Sequence, residues 1–471
     1  MPGACDGISW QSPSARLGND PYLFLDFRPI LPTPALRYGS RIAAPPPVSP
    51  PRRARRRWFW VPPVLALALV VGLTIYFSSA GFEGPEPPPV APPSSGPTVW
   101  TTPIAALSPG DPRWVDRLID HADAFDDVSD SWTTEFGFES GNSYGVPFYD
   151  AAEATVQVEV RRKTNFPGFF NIERGETVPW NPDWRPSDGK DGYMVVRDSA
   201  TGFEWGYWNV SWWSHQTDAN SNKGCLNQDN LPPPLGDGYS PGSMLCAASA
   251  FQVLDPQGRA VDTRTYGGNF PGASGGGWHL GPLIVTPDEV ASGTIGHALH
   301  FFAANTMMGP ECAPDRRAEI GETCGGAVAP AGQFEQVGNP APPGGLATQV
   351  PEGTRFSIDL TDAAIDAWLD ARAYTGRLRE TARVFAVALR DYGWFVGDTS
   401  PVAASWSVAG AENAADAKKW RELGITGTGK DLLGGLVDRS NLRVWAPPTM
   451  TCADGSASQW YCWASAGSYE G

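Results

Sequence analysis

The sequence predicts a mainly β body, a jelly-roll-like β-sandwich with peripheral helices, set behind one transmembrane helix. Three observations predict it. An uncharged apolar run, Trp58 to Phe82, stands directly behind an arginine block. Beyond residue 110, apolar residues alternate with period two over several short stretches, the signature of half-buried strands. Twenty tryptophans and 53 glycines suit broad sheets with long shaped loops better than a helical bundle.

The apolar run is about 25 residues long, enough for a helix to cross a bilayer core. Arg52, Arg53, Arg55, Arg56 and Arg57 precede it, and flanking arginines stay on the cytoplasmic side. The expected topology is single-pass in the cell membrane, with residues 1–57 cytoplasmic and everything after the span extracytoplasmic. Ser78-Ser79-Ala80 offers small residues where a signal peptidase cuts, and Arg56-Arg57-Trp58-Phe59 resembles a twin-arginine export motif. A removed signal is therefore the competing reading. The long leader and Pro62-Pro63 at the cytoplasmic end favour a retained signal-anchor.

Charge divides the chain at the same place. The net charge is −16. Residues 1–57 carry nine arginines against Asp6, Asp20 and Asp26, so the tail is at about +6 and the rest at about −22. A basic tail suits anionic inner-leaflet lipids. An acidic ectodomain does not suit nucleic acid, which needs clustered Lys and Arg.

Of seven cysteines, Cys5 lies on the expected cytoplasmic side. The other six fall in neighbouring pairs, Cys225 with Cys246, Cys312 with Cys324, and Cys452 with Cys462. An even count in an exported domain reads as disulfides. Sequential pairing is favoured because each pair brackets a Gly- or Pro-rich loop that a short staple would order. Zinc is the weaker reading, since no Cys-x-x-Cys and no neighbouring histidine occurs.

Four regions follow in order. Residues 1–57 are rich in Pro, Ser and Arg without apolar periodicity and read as disordered. Residues 58–82 are the span. Residues 83–109 are a proline-rich, semi-rigid linker. Residues 110–471 are the extracytoplasmic β-rich domain. Within it, Asp111-Pro112 is an N-cap followed by Pro at N1, opening a helix with Trp114, Leu118, Ile119 and Ala122 inward. Thr155 to Arg161 alternates, with Val156, Val158 and Val160 on one face. Tyr193 to Arg197 and Phe203 to Trp213 read as strands joined by a loop ending at Gly202. Arg355 to Leu360 is a further strand. Thr361 caps a helix carrying Ile365, Trp368 and Leu369. Arg377 to Tyr392 is the strongest amphipathic helix, with Leu378, Ala382, Phe385, Leu389 and Tyr392 in one stripe and Gly393 as its stop. Trp394-Phe395-Val396 reads as a strand.

The sharpest local segment is Trp278 to Phe302. Thr286-Pro287-Asp288-Glu289 is a capping box, and Gly293 ends its short helix. A strand then places Ile295, His297, Leu299 and Phe301 on one face, and Gly296, Ala298, His300 and Phe302 on the other. His297 is either a core histidine bonded to a carbonyl or an acid, base or ligand on a concave face.

This segment resembles the signature of an uncharacterised family of secreted bacterial proteins, usually Gly-Leu-(Ile/Val)-Arg-x-x-Glu-(Leu/Val)-x-x-Gly-x-Ile-x-His-Ala-Leu. Thr286 stands where that family usually has Arg. Two further blocks are similar, Pro186 through Asp198 with Thr201 to Trp205, and Val350 to Phe356 followed by Ala386 to Gly393. The resemblance spans about 180 to 425 and implies an extracellular β-sandwich of a kind often joined to polysaccharide-handling modules. It implies no particular reaction.

Aromatics point the same way. Trp205, Tyr207 and Trp213 share one strand face, and Trp208 and Trp212 the other. Exposed aromatic faces stack on sugar rings, whereas a double-sided aromatic core is the structural alternative. The leading expectation is action on an envelope or environmental polysaccharide by hydrolysis or β-elimination, either of which needs a proton donor and acceptor. Candidate catalytic residues are Asp188, Asp198, Glu204, His297 and Tyr392, with Trp205, Trp208 and Trp212 as substrate-stacking platforms. The rival is a non-catalytic carbohydrate-binding or structural surface domain. No cofactor is expected. Asp218 to Gly224 imitates the start of a calcium loop but lacks Gly at its sixth place and Glu at its twelfth. Gly275-Gly276-Gly277 is no phosphate loop, and neither a Gly-x-Ser-x-Gly elbow nor His-Glu-x-x-His occurs.

Overall fold

Among the described residues, three sheets and a hairpin, with few helices, make up the body. The computed structural model describes residues 97–123, 145–162, 169–173, 175–187, 192–213, 244–255, 258–266, 272, 275–277, 279–303, 305–307, 310–334, 345–399, 406–408, 410–411, 414–426, 430–452 and 456–461. All belong to one unit, Gly81–Gly471. The apolar run 58–82 and the tail before it lie outside the described residues. Among the described residues no helix is long and apolar enough to cross a membrane.

The first sheet has the order β1-β4-β5-β8, made of β1 (Phe148–Asp150), β4 (Met194–Arg197), β5 (Glu204–Trp208) and β8 (Ser249–Gln252). The second has the order β3-β2-β7-β6, made of β3 (Thr177–Trp180), β2 (Val156–Arg162), β7 (Met244–Ala247) and β6 (Ser211–Trp213). The third has the order β12-β9-β11-β10-β13, made of β12 (Trp406–Val408), β9 (Leu299–Ala303), β11 (Trp394–Thr399), β10 (Arg355–Ile358) and β13 (Leu442–Trp445). A hairpin, β14 (Met450–Thr451) with β15 (Ala457–Ser458), follows.

The mainly β expectation holds. The jelly-roll likeness needs correction in one respect, because a jelly roll is antiparallel. Here β1 runs parallel to β4, β2 to β7 and β9 to β11. Parallel neighbours cannot be joined by a tight hairpin and need a long connection.

Side-chain alternation assigns strand faces to cores. On β4, Met194 and Val196 enter one cluster with Val158, Val160, Val178, Tyr207 and Leu245. Tyr193 and Val195 enter another, with Phe251, Val253, Phe302 and Phe395. The first sheet is thus buried on both faces, which is why Met194-Val195-Val196 is an unbroken apolar run. The outer face of the third sheet carries Leu299, Phe301, Phe356, Ile358, Trp394 and Val396 against Ile365, Leu369, Phe385, Leu389 and Trp420.

That last group comes from helices that formed as their sequences dictate. Helix α1 (Arg113–Asp123) buries Trp114, Leu118 and Ile119. Helix α2 (Pro287–Ser292) carries the capping box and ends at Gly293 with φ 90°. In α3 (Asp362–Ala371) the Thr361 side chain accepts from the Ala364 amide. Helix α4 (Gly376–Asp391) buries Ala382, Phe385 and Leu389. It stops at Gly393, where φ is +67° and a Cβ would sit 2.0 Å from the Phe356 carbonyl oxygen. Two helices, α5 (Ala414–Glu422) and the short α6 (Lys430–Leu433), complete the set.

Three boundaries moved. The strand expected over Phe203 to Trp213 is two strands in different sheets, parted at Asn209 with φ +55°. The strand expected from Ile295 begins at Leu299, so His297 precedes it. The linker expected over 83–109 ends sooner, because Trp100 is buried, the Gly110 amide donates to the Val444 carbonyl and the Ala446 amide donates to the Ser108 carbonyl, across a bridge between Pro109 and Trp445.

Candidate functional site

His297 is placed by the turn between α2 and β9. Its Nδ1 lies 2.8 Å from the Ala298 carbonyl oxygen. Its Nε2 lies 3.2 Å from Glu289 Oε1. The other Glu289 oxygen, Oε2, accepts from the Thr286 amide at 2.9 Å and from its hydroxyl at 2.8 Å. One carboxylate thus completes the capping box and orients the histidine. Burial pushes the Glu289 carboxyl up, but the bonds from His297 and Thr286 outweigh it and hold the group below its ordinary value. Both His297 nitrogens face protein acceptors, so an imidazolium satisfies both and a neutral ring only one.

Glu204 sits on β5 opposite Arg197 on β4. Its side chain is wholly enclosed. Oε2 accepts from Arg197 Nη2 at 3.1 Å and from the Thr263 hydroxyl at 3.0 Å, and Oε1 accepts from the Gly281 amide at 3.1 Å. A Cβ at 281 would lie 1.9 Å from Glu204 Oε2, so any larger residue there must push the carboxylate from its place. The Arg197 guanidinium also rests 4.7 Å from the Phe148 ring centroid. His279 feels both charges and is buried between Trp100 and Tyr266, which drives its pKa down to about 4, with burial as the main cause.

The remaining sequence candidates are dispersed. Asp198 holds its own turn, accepting from the Ala200 amide at 2.9 Å and the Thr201 hydroxyl at 2.7 Å. Asp188 lies outside the described residues. Tyr392 is half-buried at the end of α4, and its carbonyl accepts from Arg355. Trp205 is half-buried against the core between the first two sheets, and Trp208 against the core on the other face. The side chain of Trp212 lies outside the described residues, though its backbone pairs with Leu245. His300 is buried on β9 beside Gly397, and burial lowers its pKa to about 3. Among the described residues no hydrogen bond or ion pair joins the Glu204 group to the Glu289–His297 pair.

Two polar groupings escaped the sequence reading. The Tyr193 hydroxyl donates to Asp398 Oδ2 at 2.8 Å, linking β11 to the residue just before β4, and both residues are buried. Asp398 follows a bulge in β11; an acid closing the apolar run Trp394 to Gly397 was its only sequence signal. The second grouping is Arg355, read only as a strand residue. It is buried, bonded to three backbone carbonyls, and burial lowers its pKa to about 10.

Cys312 and Cys324 form a disulfide. Cys246 and Cys452 are also disulfide-bonded, while Cys225 and Cys462 lie outside the described residues. Among the described residues no group of His, Cys, Asp or Glu could hold a metal ion; the calcium-like segment 218–224 lies outside them. No family model, curated protein or solved structure matches the chain.

Proposed function

We propose that this chain is an extracytoplasmic domain of sandwich-like layering, held to the cell membrane by residues 58–82, that binds carbohydrate or serves a structural role at the surface. The supporting observation is the commitment of three candidate proton-transfer groups, His297, Glu204 and Asp198, to protein partners. Both His297 nitrogens face acceptors, Glu204 is enclosed by three donors, and Asp198 holds a turn. A general base needs a free position within hydrogen-bond reach of its substrate. Trp205 and Trp208 are half-buried, each packed against a core, and this reading takes their outer faces as stacking platforms.

The second reading, glycosidic cleavage, would use the buried Tyr193–Asp398 phenol–carboxylate pair as its proton path, and needs substrate to displace one of the bonds that Asp398 makes to Tyr193 and to the Thr399 amide. One experiment separates the two. A secreted chain beginning at Pro97 is incubated with cell-wall glycans and uronate polymers, following retention and product together. Retention without new reducing ends or unsaturated product supports binding. Product that disappears in Asp398→Asn establishes cleavage instead. Neither retention nor product leaves the structural role.

A further inference from the structure

We infer that residues 97–103 form a locking strap, in which Trp100 and Arg355 together fasten the chain's entry point into the core as a single cooperative latch. The strap belongs to no sheet. It is a turn that caps itself, since the Thr98 amide donates to the Thr101 hydroxyl at 2.9 Å and the Thr102 amide and hydroxyl both donate to the Thr98 carbonyl. The turn projects Trp100 into the body, 1% exposed. The indole meets His279 edge-on at 5.3 Å and Phe395 at 5.8 Å. Its Nε1–H donates to the Tyr266 carbonyl at 3.0 Å. Its own carbonyl accepts from the Ala298 amide at 2.8 Å.

Arg355 closes the latch from the sheet side. Nη1 donates to Val99 at 3.1 Å, and Nη2 donates to Thr102 at 2.7 Å. Nε and Nη2 also donate to the Tyr392 carbonyl at 3.0 and 2.6 Å. The guanidinium lies 5.1 Å from the Phe395 centroid, so it shares that ring with Trp100. Two of its three carbonyl partners belong to the strap. Withdrawing the strap would therefore strip a buried cation of two of its four hydrogen bonds while vacating an aromatic site. Either loss alone is costly, and because Phe395 and the strap backbone serve both residues, each depends on the other.

The functional consequence rests on the tethered-ectodomain reading. Among the described residues the strap comes first in the chain, so a pull transmitted from upstream reaches the latch before any described sheet. Chain upstream of 97 should then be removable without loss of the body.

The test uses the full chain in detergent, with Trp100→Ala, Arg355→Gln and the double variant, followed by amide hydrogen exchange. Exchange at Thr102 and Ala298 should rise at least about tenfold in each single variant while α4 keeps its protection. The double variant should change little further. Millimolar indole should restore protection in Trp100→Ala and not in Arg355→Gln. Additive single effects, or unchanged exchange at Thr102 and Ala298, would overturn the latch. Should Trp100→Ala unfold the whole body, Trp100→Leu carries the same comparison. Proteolytic trimming upstream of 97 should leave the thermal midpoint in place; a clear drop would also overturn it. Exchange does not depend on whether 58–82 crosses a membrane, so failure of the latch and failure of the anchor are distinguishable.

Discussion

Arg197 and Glu204 face each other across the β4–β5 register, Nη2 3.1 Å from Oε2, with the carboxylate wholly enclosed. Enclosed ion pairs behave asymmetrically: removing one partner strands the other, at a cost of about 3–5 kcal/mol. Glu204→Ala should therefore lower stability by about that amount, read as a shift in denaturant midpoint. A loss below about 1 kcal/mol would show that the site relaxes or hydrates around Arg197.

Glycines near these contacts should differ sharply in tolerance. A Cβ at Gly281 would lie 1.9 Å from Glu204 Oε2, whereas at Gly296 nothing lies within 4 Å. Gly281→Ala should destabilise by about 1–3 kcal/mol, as overpacking does, and Gly296→Ala should be nearly neutral. Thermal midpoints of the two variants, measured side by side, decide it; equal midpoints would contradict the enclosure of Glu204.

Burial of two histidines makes the fold sensitive to mild acid. His279 and His300 have pKa values lowered to about 4 and about 3 from an ordinary 6.5. The unfolded chain takes up these protons first. Their contribution is therefore fully present above pH 6.5 and declines as pH falls from there toward the folded values. His279→Gln should flatten the loss of stability between pH 6.5 and 4, by roughly 3 kcal/mol at the acid end. A wild-type midpoint that is level across that window would refute it.

Glu289 acts over a lower range and through a different cause. Its folded value lies below the ordinary 4.5 because His297 and Thr286 bond the carboxylate. The stability it lends is present above pH 4.5 and lost as pH falls through the lowered value. Glu289→Gln should remove that slope and weaken the cap of α2. Thr286→Ala should cost about 1 kcal/mol through the same cap. Chemical denaturation at pH 6 and pH 3 separates the two effects: Glu289→Gln should remove the carboxylate's share of the slope entirely, whereas Thr286→Ala should keep most of it, because His297 and the backbone amide of position 286 still bond the carboxylate.

Much of the local structure was legible in the chain. Thr286-Pro287-Asp288-Glu289 specifies its helix because cap and box are satisfied within four residues. Gly393 marks the end of α4 because a positive φ favours glycine, and there a Cβ would strike the Phe356 carbonyl. The Asp198 to Gly202 turn was readable for the same reason, its hydrogen bonds being local. The candidate site was far less legible. Glu204 reads as an available acid in Phe203-Glu204-Trp205, yet its three donors come from positions 197, 263 and 281. Trp100 reads as part of a proline-rich linker, yet its place is set by residues beyond 260.

By itself the sequence determined the elements: the capped helices, the period-two strands and the mainly β character; the Cys312–Cys324 pairing it favoured is decided by the fold. These depend on dihedral preference, hydrogen bonds a few residues apart and side-chain periodicity. The tertiary structure alone decided which sheet each strand joined, that β9 and β11 run parallel, and that Arg355 and Trp100 close the same latch. Those outcomes are set by burial and by polar groups that must find partners across long stretches of chain. A residue's chemistry names what it can bond, and only the folded neighbourhood settles what remains for it to do.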